Sequence, residues 1–139
     1  MDHVFDRIPR QSFNSDSGAI LNVCEFQQIP FLVKRVYWID GISKDEPRGF
    51  HAHKNLNQVI IVLNGKVNLK LLRGKKETNI EISDRDDYVL IPFGTWREIY
   101  SQNDIASILV LADCEYQEAD YIRDFEQYQE WFSVSFNER

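Results

Sequence analysis

Two of the three histidines in this 139-residue chain stand one residue apart, in the run Gly49-Phe50-His51-Ala52-His53. Side chains at i and i+2 of a strand leave the same face, so His51 and His53 are expected to project side by side. Three readings fit a bare His-x-His: a pair of surface or loop histidines, half of a metal site, or an acid–base pair. Imidazole titrates near neutrality, so one ring can take a proton while its neighbour gives one. That suits proton transfer beside a carbonyl, in which one carbon loses a proton, an enediol forms, and the adjacent carbon is reprotonated. Such a reaction needs no redox cofactor, only a base, an acid and donors that hold the enediolate oxygen. Arg48, just before the pair, is a candidate donor or a grip for phosphate. Tyr37 is a second candidate donor, with an ordinary core aromatic as its alternative reading.

The elements that must position these groups read as short strands. Phe31 to Asp40 (FLVKRVYWID) is rich in Val, Ile and aromatics, and a polar loop ending in Pro47 and Gly49 follows. The histidine pair is expected to open a strand with an apolar opposite face. Leu56 to Leu63 then meets Asn64-Gly65 and returns as KVNLKLL, and Asn-Gly between two apolar runs predicts a tight hairpin. Val67, Leu69 and Leu71 alternate with Lys66, Asn68 and Lys70, the mark of a strand with one wet face. A second hairpin is expected at Arg73-Gly74-Lys75, with further strands at Tyr88–Ile91, Trp96–Tyr100 and Ile105–Ala112. Strands this short and this regularly spaced predict a sandwich or barrel. Tyr121, Phe125, Tyr128 and Phe132 then form a helical stripe, which predicts a closing helix over 119–132 with Asp120 as its cap.

The bulk numbers agree with one globular domain over 1–139. Hydrophobic residues make up 43% of the chain and aromatics 13%, which argues against disorder. A net charge of −6 argues against a nucleic-acid or anionic-membrane binder, though a local Arg/Lys cluster can still hold a diphosphate. Cys24 and Cys114 lie far apart without a CxxC spacing, so no disulfide framework is expected. The opening MDHVFDRIPR has no apolar run for a signal peptide, and no stretch approaches a membrane span, so the expectation is a soluble cytoplasmic protein.

The motifs resemble those of the cupin superfamily, an all-β jelly roll. His51, His53 and Gly65 fit its first motif, but Gln58 stands where a glutamate ligand is usual; Pro92-Phe93-Gly94 fits the second, but Arg97 stands where a histidine ligand is usual. A guanidinium cannot ligate a divalent ion, and two imidazoles alone make a poor site, so no metal and no other cofactor are expected. The runs RVYWI, EPRGFHAHK and DYIRDFEQYQEWF narrow the resemblance to the sugar 3,4-ketoisomerases, the WxcM-like cupins, from about Phe31 to the C-terminal helix. That resemblance implies a homodimer that exchanges N-terminal strands (within 1–30). It also implies a dTDP-linked 4-keto-6-deoxy sugar as substrate and a 3-keto product destined for a surface polysaccharide or glycosylated antibiotic. It puts catalysis on His51, His53, Tyr37 and Arg48. Arg35, Lys54, Gln58, Trp96 and Arg97 are candidate substrate contacts, with Trp96, Tyr37 and Trp38 able to stack a base. Arg97 departs from the Trp-His-Glu run expected in the family, which bears on the product's configuration. A non-catalytic sugar-nucleotide binder, a sugar epimerase and a metal-dependent cupin are the alternatives.

Overall fold

The alternation around Leu69 becomes a strand whose odd-numbered side chains, Val67, Leu69 and Leu71, are buried while Lys66 stays wet. The computed structural model describes residues 3–102 and 105–136. Residues 1 and 2 of the N-terminal segment expected to exchange lie outside them. In chain order the strands are β1 (Asp6–Ile8), β2 (Gln11–Asn14), β3 (Ile20–Val23), β4 (Arg35–Ile42), β5 (Arg48–His53), β6 (Gln58–Asn64) and β7 (Lys66–Arg73). They continue with β8 (Lys76–Ser83), β9 (Tyr88–Ile91), β10 (Trp96–Tyr100), β11 (Ala106–Ala112) and β12 (Tyr121–Ile122), and the chain closes with helix α1 (Phe125–Ser135).

Two five-stranded antiparallel sheets, ordered β1-β9-β6-β11-β4 and β12-β5-β10-β7-β8, form the all-β jelly-roll sandwich expected of a cupin. Their facing sides share one apolar core that draws Ile60 and Val62 from β6, Leu69 and Leu71 from β7, Ile99 from β10, and Ile108 and Val110 from β11. The outer face of the first sheet is covered by the segment carrying Cys24, Phe31 and Val33. Helix α1 covers the outer face of the second, where Tyr128 and Phe132 meet Ala52, Trp96 and Ile122. The β2–β3 hairpin pairs with itself and joins neither sheet's ladder, with Phe13 and Leu21 exposed and the Val23 carbonyl accepting from the Tyr88 hydroxyl at 3.1 Å. No helix among the described residues is long and apolar enough to cross a membrane.

Three local expectations are corrected. Asn64-Gly65 is no hairpin: β6 and β7 belong to different sheets, and the dipeptide is the corner between them. A type I′ turn needs positive φ at both centres, and only Gly65 has it (φ 83°). A Cβ on Gly65 would lie 3.0 Å from the Ile105 carbonyl oxygen, so the crowding of β11 against the corner calls for glycine there. The closing helix begins at Phe125 rather than 119, because Asp124 is its cap and accepts the Gln127 N–H at 2.9 Å. Residues 121–122 instead form β12, paired with β5 through Tyr121↔His53 and Ile122↔Ala52. Finally, the histidine pair closes β5 rather than opening a strand.

Candidate active site

The inward positions of the sandwich turn polar at one end. Tyr37 and Arg35 of β4 line a cavity of about 510 Å³ together with Arg48, Phe50 and His51 of β5 and Tyr116, Tyr121 and Arg123 from the C-terminal segment. The local shape of β5 depends on a bulge. Arg97 of β10 pairs with His51 and Glu98 with Gly49, which leaves Phe50 unmatched at φ 59°. A bulky residue in that region is strained, and such strain gathers at functional sites. Gly49 must be glycine: its φ is +91°, and a Cβ would sit 2.9 Å from the Arg97 carbonyl oxygen.

The bulge turns the Gly49 carbonyl toward His51 Nδ1, 3.0 Å away. A carbonyl only accepts, so Nδ1 carries the hydrogen and Nε2, buried without a partner, keeps its lone pair. His53 is held by a different device. Its Nδ1 lies 2.9 Å from Asp120 Oδ2, and the other oxygen of Asp120 accepts the Asn55 N–H at 2.7 Å. Here too Nε2 is buried and unpartnered. The two rings stand edge to face with centroids 4.9 Å apart, and the Tyr121 ring packs on both.

Burial, reinforced by the Arg97 guanidinium, lowers His51 from the ordinary 6.5 to about 3. The same two causes depress His53 further. The close His53–Asp120 contact is therefore a neutral imidazole N–H donating to a carboxylate, not a pair of opposite charges. Arg97 is itself wholly buried, and desolvation brings it down to about 10, so it remains a cation. It donates from Nη2 to the Thr95 carbonyl at 2.9 Å and from Nη1 to the Gln58 amide oxygen. Gln58 in turn donates from Nε2 to the Tyr37 hydroxyl at 3.0 Å. Burial raises the Tyr37 phenol above its usual value, which keeps it protonated.

This donor set does not fit a metal. The positions that would complete a four-ligand site around His51 and His53 hold an amide and a guanidinium already bonded to each other. Among the described residues no group of three or more His, Cys, Asp and Glu side chains could hold an ion.

The structure thus brings His51, His53, Tyr37, Arg48 and Arg35 together. Arg35 spans the Tyr37 and Tyr116 rings and has two buried nitrogens, Nε and Nη2, without partners. Four expected substrate contacts lie elsewhere. Gln58 and Arg97 are buried beneath the cavity, 1% exposed each. Lys54 is exposed in the turn after β5 and outside the cavity wall. Trp96 faces the other side of β10, where it packs against Phe125 and Tyr128 under α1, because alternation along β10 sends it opposite to Arg97. Trp38 likewise points outward and is exposed. Sequence reasoning missed Tyr116, Tyr121, Arg123 and the anchoring role of Asp120; the helix expected over 119–132 absorbed Asp120, Tyr121 and Arg123, and Tyr116 lies just before it. The signal was present: Asp124-x-x-Gln127 is a capping pattern that starts the helix at Phe125 and frees 120–123 for the cavity.

A jelly roll whose polar inner end carries paired, neutral imidazoles has the architecture of a cupin. Comparison with known proteins narrows the class: residues 2–133 match the family described as FdtA, WxcM-like, C-terminal, and the chain belongs to that family. The TDP-4-oxo-6-deoxy-alpha-D-glucose-3,4-oxoisomerase of Aneurinibacillus thermoaerophilus is 34% identical over 116 residues, 84% of either chain. A histidine-to-asparagine variant of the 3,4-ketoisomerase QdtA from Thermoanaerobacterium thermosaccharolyticum, solved with TDP-4-keto-6-deoxyglucose, is 35% identical with a TM-score of 0.89, covering 99% of this chain and 100% of that one. A 3,4-ketoisomerase from Helicobacter canadensis is 33% identical with a TM-score of 0.86, covering 96% and 98%. The 3,5-epimerase RmlC of Legionella pneumophila, at 12% identity and a TM-score of 0.72 over 86% of this chain and 71% of that one, shares the fold alone.

Proposed function

We propose that this chain is an isomerase that converts dTDP-4-keto-6-deoxyglucose to a dTDP-3-keto-6-deoxyhexose by metal-independent proton transfer through an enediol. The observation that carries the reading is the pair of neutral imidazoles held by Nδ1, each with Nε2 free, beside a buried cation. His51 takes the proton from C3, the carbon next to the carbonyl, and returns it to C4. His53, with Asp120 behind it, shares that proton. The buried Arg97 charge lowers the energy of the developing enediolate. Arg35 and Arg48 suit the diphosphate, and Tyr116 and Tyr121 offer faces to the flat base. The relatives named above, which act on or bind the TDP-linked keto sugar, support the substrate class.

We also place the enzyme in the cytoplasm as a homodimer with exchanged N-terminal strands. Apolar side chains exposed on the β2–β3 hairpin (Phe13, Leu21), and Leu32 and Trp38 at the edge strand β4 and just before it, support an interface there. Proton NMR of chelator-treated protein with dTDP-4-keto-6-deoxyglucose tests the reading. Appearance of a 3-keto sugar is the expected result. Binding without conversion favours a non-catalytic sugar-nucleotide module, and inversion with the carbonyl left at C4 favours an epimerase.

A further inference from the structure

We propose that Phe50 is a positioning residue: its left-handed backbone, held by its ring against Tyr100, aims the Gly49 carbonyl at His51 Nδ1 and so keeps Nε2 of that imidazole as the proton acceptor. The inference rests on the ketoisomerase reading, in which His51 is the base, and deepens it.

The orientation of one peptide plane decides the tautomer. The plane between residues 49 and 50 is set by ψ of Gly49 and φ of Phe50. Phe50 has φ 59°, the one positive value outside glycine among the described residues. Half a turn of that plane would return Phe50 to an ordinary negative φ and bring its N–H, in place of the Gly49 carbonyl, toward the imidazole. Facing an N–H, Nδ1 must accept; the ring hydrogen then moves to Nε2, which can take no proton. Among the described residues the Gly49 carbonyl, 3.0 Å from Nδ1, is the ring's hydrogen-bond partner, and Nε2 has none. That carbonyl alone fixes the tautomer.

A phenylalanine resists this conformation, because its Cβ crowds the neighbouring backbone at positive φ. Two features hold it there. In the bulge, Arg97 and Glu98 of β10 pair with His51 and Gly49, so no residue of β10 draws Phe50 into extended geometry. The Phe50 ring also meets the Tyr100 ring edge to face, with centroids 5.8 Å apart and planes at 80°. Tyr100 is fixed in turn: its hydroxyl donates to Glu98, which also accepts from Trp96 Nε1 at 2.9 Å. The outer face of β10 thereby braces the base on β5. Gly49 plays a different part, since its φ of +91° clears the Arg97 carbonyl whichever way the following plane turns.

Phe50→Gly, Phe50→Ala and Phe50→Val separate the backbone from the ring. All three remove the ring, and they differ in how readily residue 50 takes a positive φ, glycine most and β-branched valine least. We expect kcat with dTDP-4-keto-6-deoxyglucose to fall about threefold for glycine, about 10-fold for alanine and about 100-fold for valine. A role for the ring alone would make glycine no better than alanine. Nitrogen NMR of histidine-labelled protein near neutral pH reads the tautomer without turnover, the His51 signals being identified by their loss in His51→Asn. Wild type and Phe50→Gly should carry the hydrogen on Nδ1 and Phe50→Val on Nε2, while His53, held by Asp120, keeps Nδ1–H throughout. If Phe50→Val fails to fold, the order of glycine above alanine carries the test. Alanine equal to or better than glycine, or folded Phe50→Val with His51 still protonated on Nδ1, would overturn the inference alone. A wild type that leaves the sugar unchanged overturns the function reading, and the tautomer signals still decide whether Phe50 sets the ring.

Discussion

The two ends of the sandwich interior are built from the same strands and differ by a single step along each. On β6 the inward side chains run Gln58, Ile60, Val62; on β10, Arg97 then Ile99; on β4, Arg35, Tyr37, Ile39. At one end the interior is closed by aliphatic packing. At the other, the same pleat presents a guanidinium, an amide, a phenol and, from β5, two imidazoles. The apolar end supplies stability at roughly 25 cal/mol per Å² buried. The polar end spends part of it, since each buried polar group must find a partner or stay uncompensated. Most do find one: Arg97 to Gln58 to Tyr37, and His53 to Asp120. Among the buried atoms left without partners are Nε2 of His51 and of His53, the ones that the proposed proton transfer uses, beside Arg35 Nε and Nη2 and Arg97 Nε.

That contrast can be broken from either side. Leu69→Ala, at the fully buried apolar end, should cost about 2–5 kcal/mol by chemical denaturation while the folded fraction keeps its kcat. A loss of kcat in folded protein would show that the two ends are not separable. Asp120→Asn attacks the polar end: an amide can donate to His53 Nδ1 and reverse the tautomer. It should lower kcat about 10- to 100-fold and stability by about 1–3 kcal/mol. Unchanged kinetics would reduce Asp120 to a structural anchor.

The same polar end responds to pH. His51 is neutral in the fold down to about 3 but takes a proton in the unfolded chain below 6.5. Within that window the unfolded state binds more protons, so stability is full above 6.5 and is lost as pH falls, by up to about 1.4 kcal/mol per unit for each such histidine. Thermal melts across about pH 4 to 7 should show the slope, and His51→Asn should reduce it while His53 keeps its own share. The smallest effect belongs to the rim, where Glu118 accepts from Arg123 at 2.7 Å and from the Tyr116 hydroxyl at 2.7 Å. Glu118→Gln should leave the melting temperature nearly unchanged, because exposed ion pairs contribute about 0–1 kcal/mol. It should shift KM rather than kcat.

The strands and the facing histidines were legible because period-2 alternation and i, i+2 geometry are local rules. The Asn64-Gly65 corner was not, since a hairpin and a crossover between sheets begin with the same dipeptide. Only the approach of Ile105 and Ala106 decides between them. Trp96 looked like a stacking ring until the face of β10 was known. Asp120 and Tyr121 were hidden by an aromatic spacing that suits a helix equally well, and pairing with β5 claimed them for the site. Gln58 and Arg97 were legible as absent metal ligands. Their mutual hydrogen bond, which gives them a positive role, depends on two sheets meeting.

The most direct test of the central claim is deuterium incorporation with wild-type and His51→Asn protein, both incubated with dTDP-4-keto-6-deoxyglucose in deuterated water. The account predicts that wild type exchanges the proton at the reacting carbons and forms the 3-keto sugar. The variant should bind the same nucleotide sugar, keep its fold and return it unlabelled. Deuterium entering the sugar at the wild-type rate in the folded His51→Asn protein would contradict the assignment of that imidazole as the base.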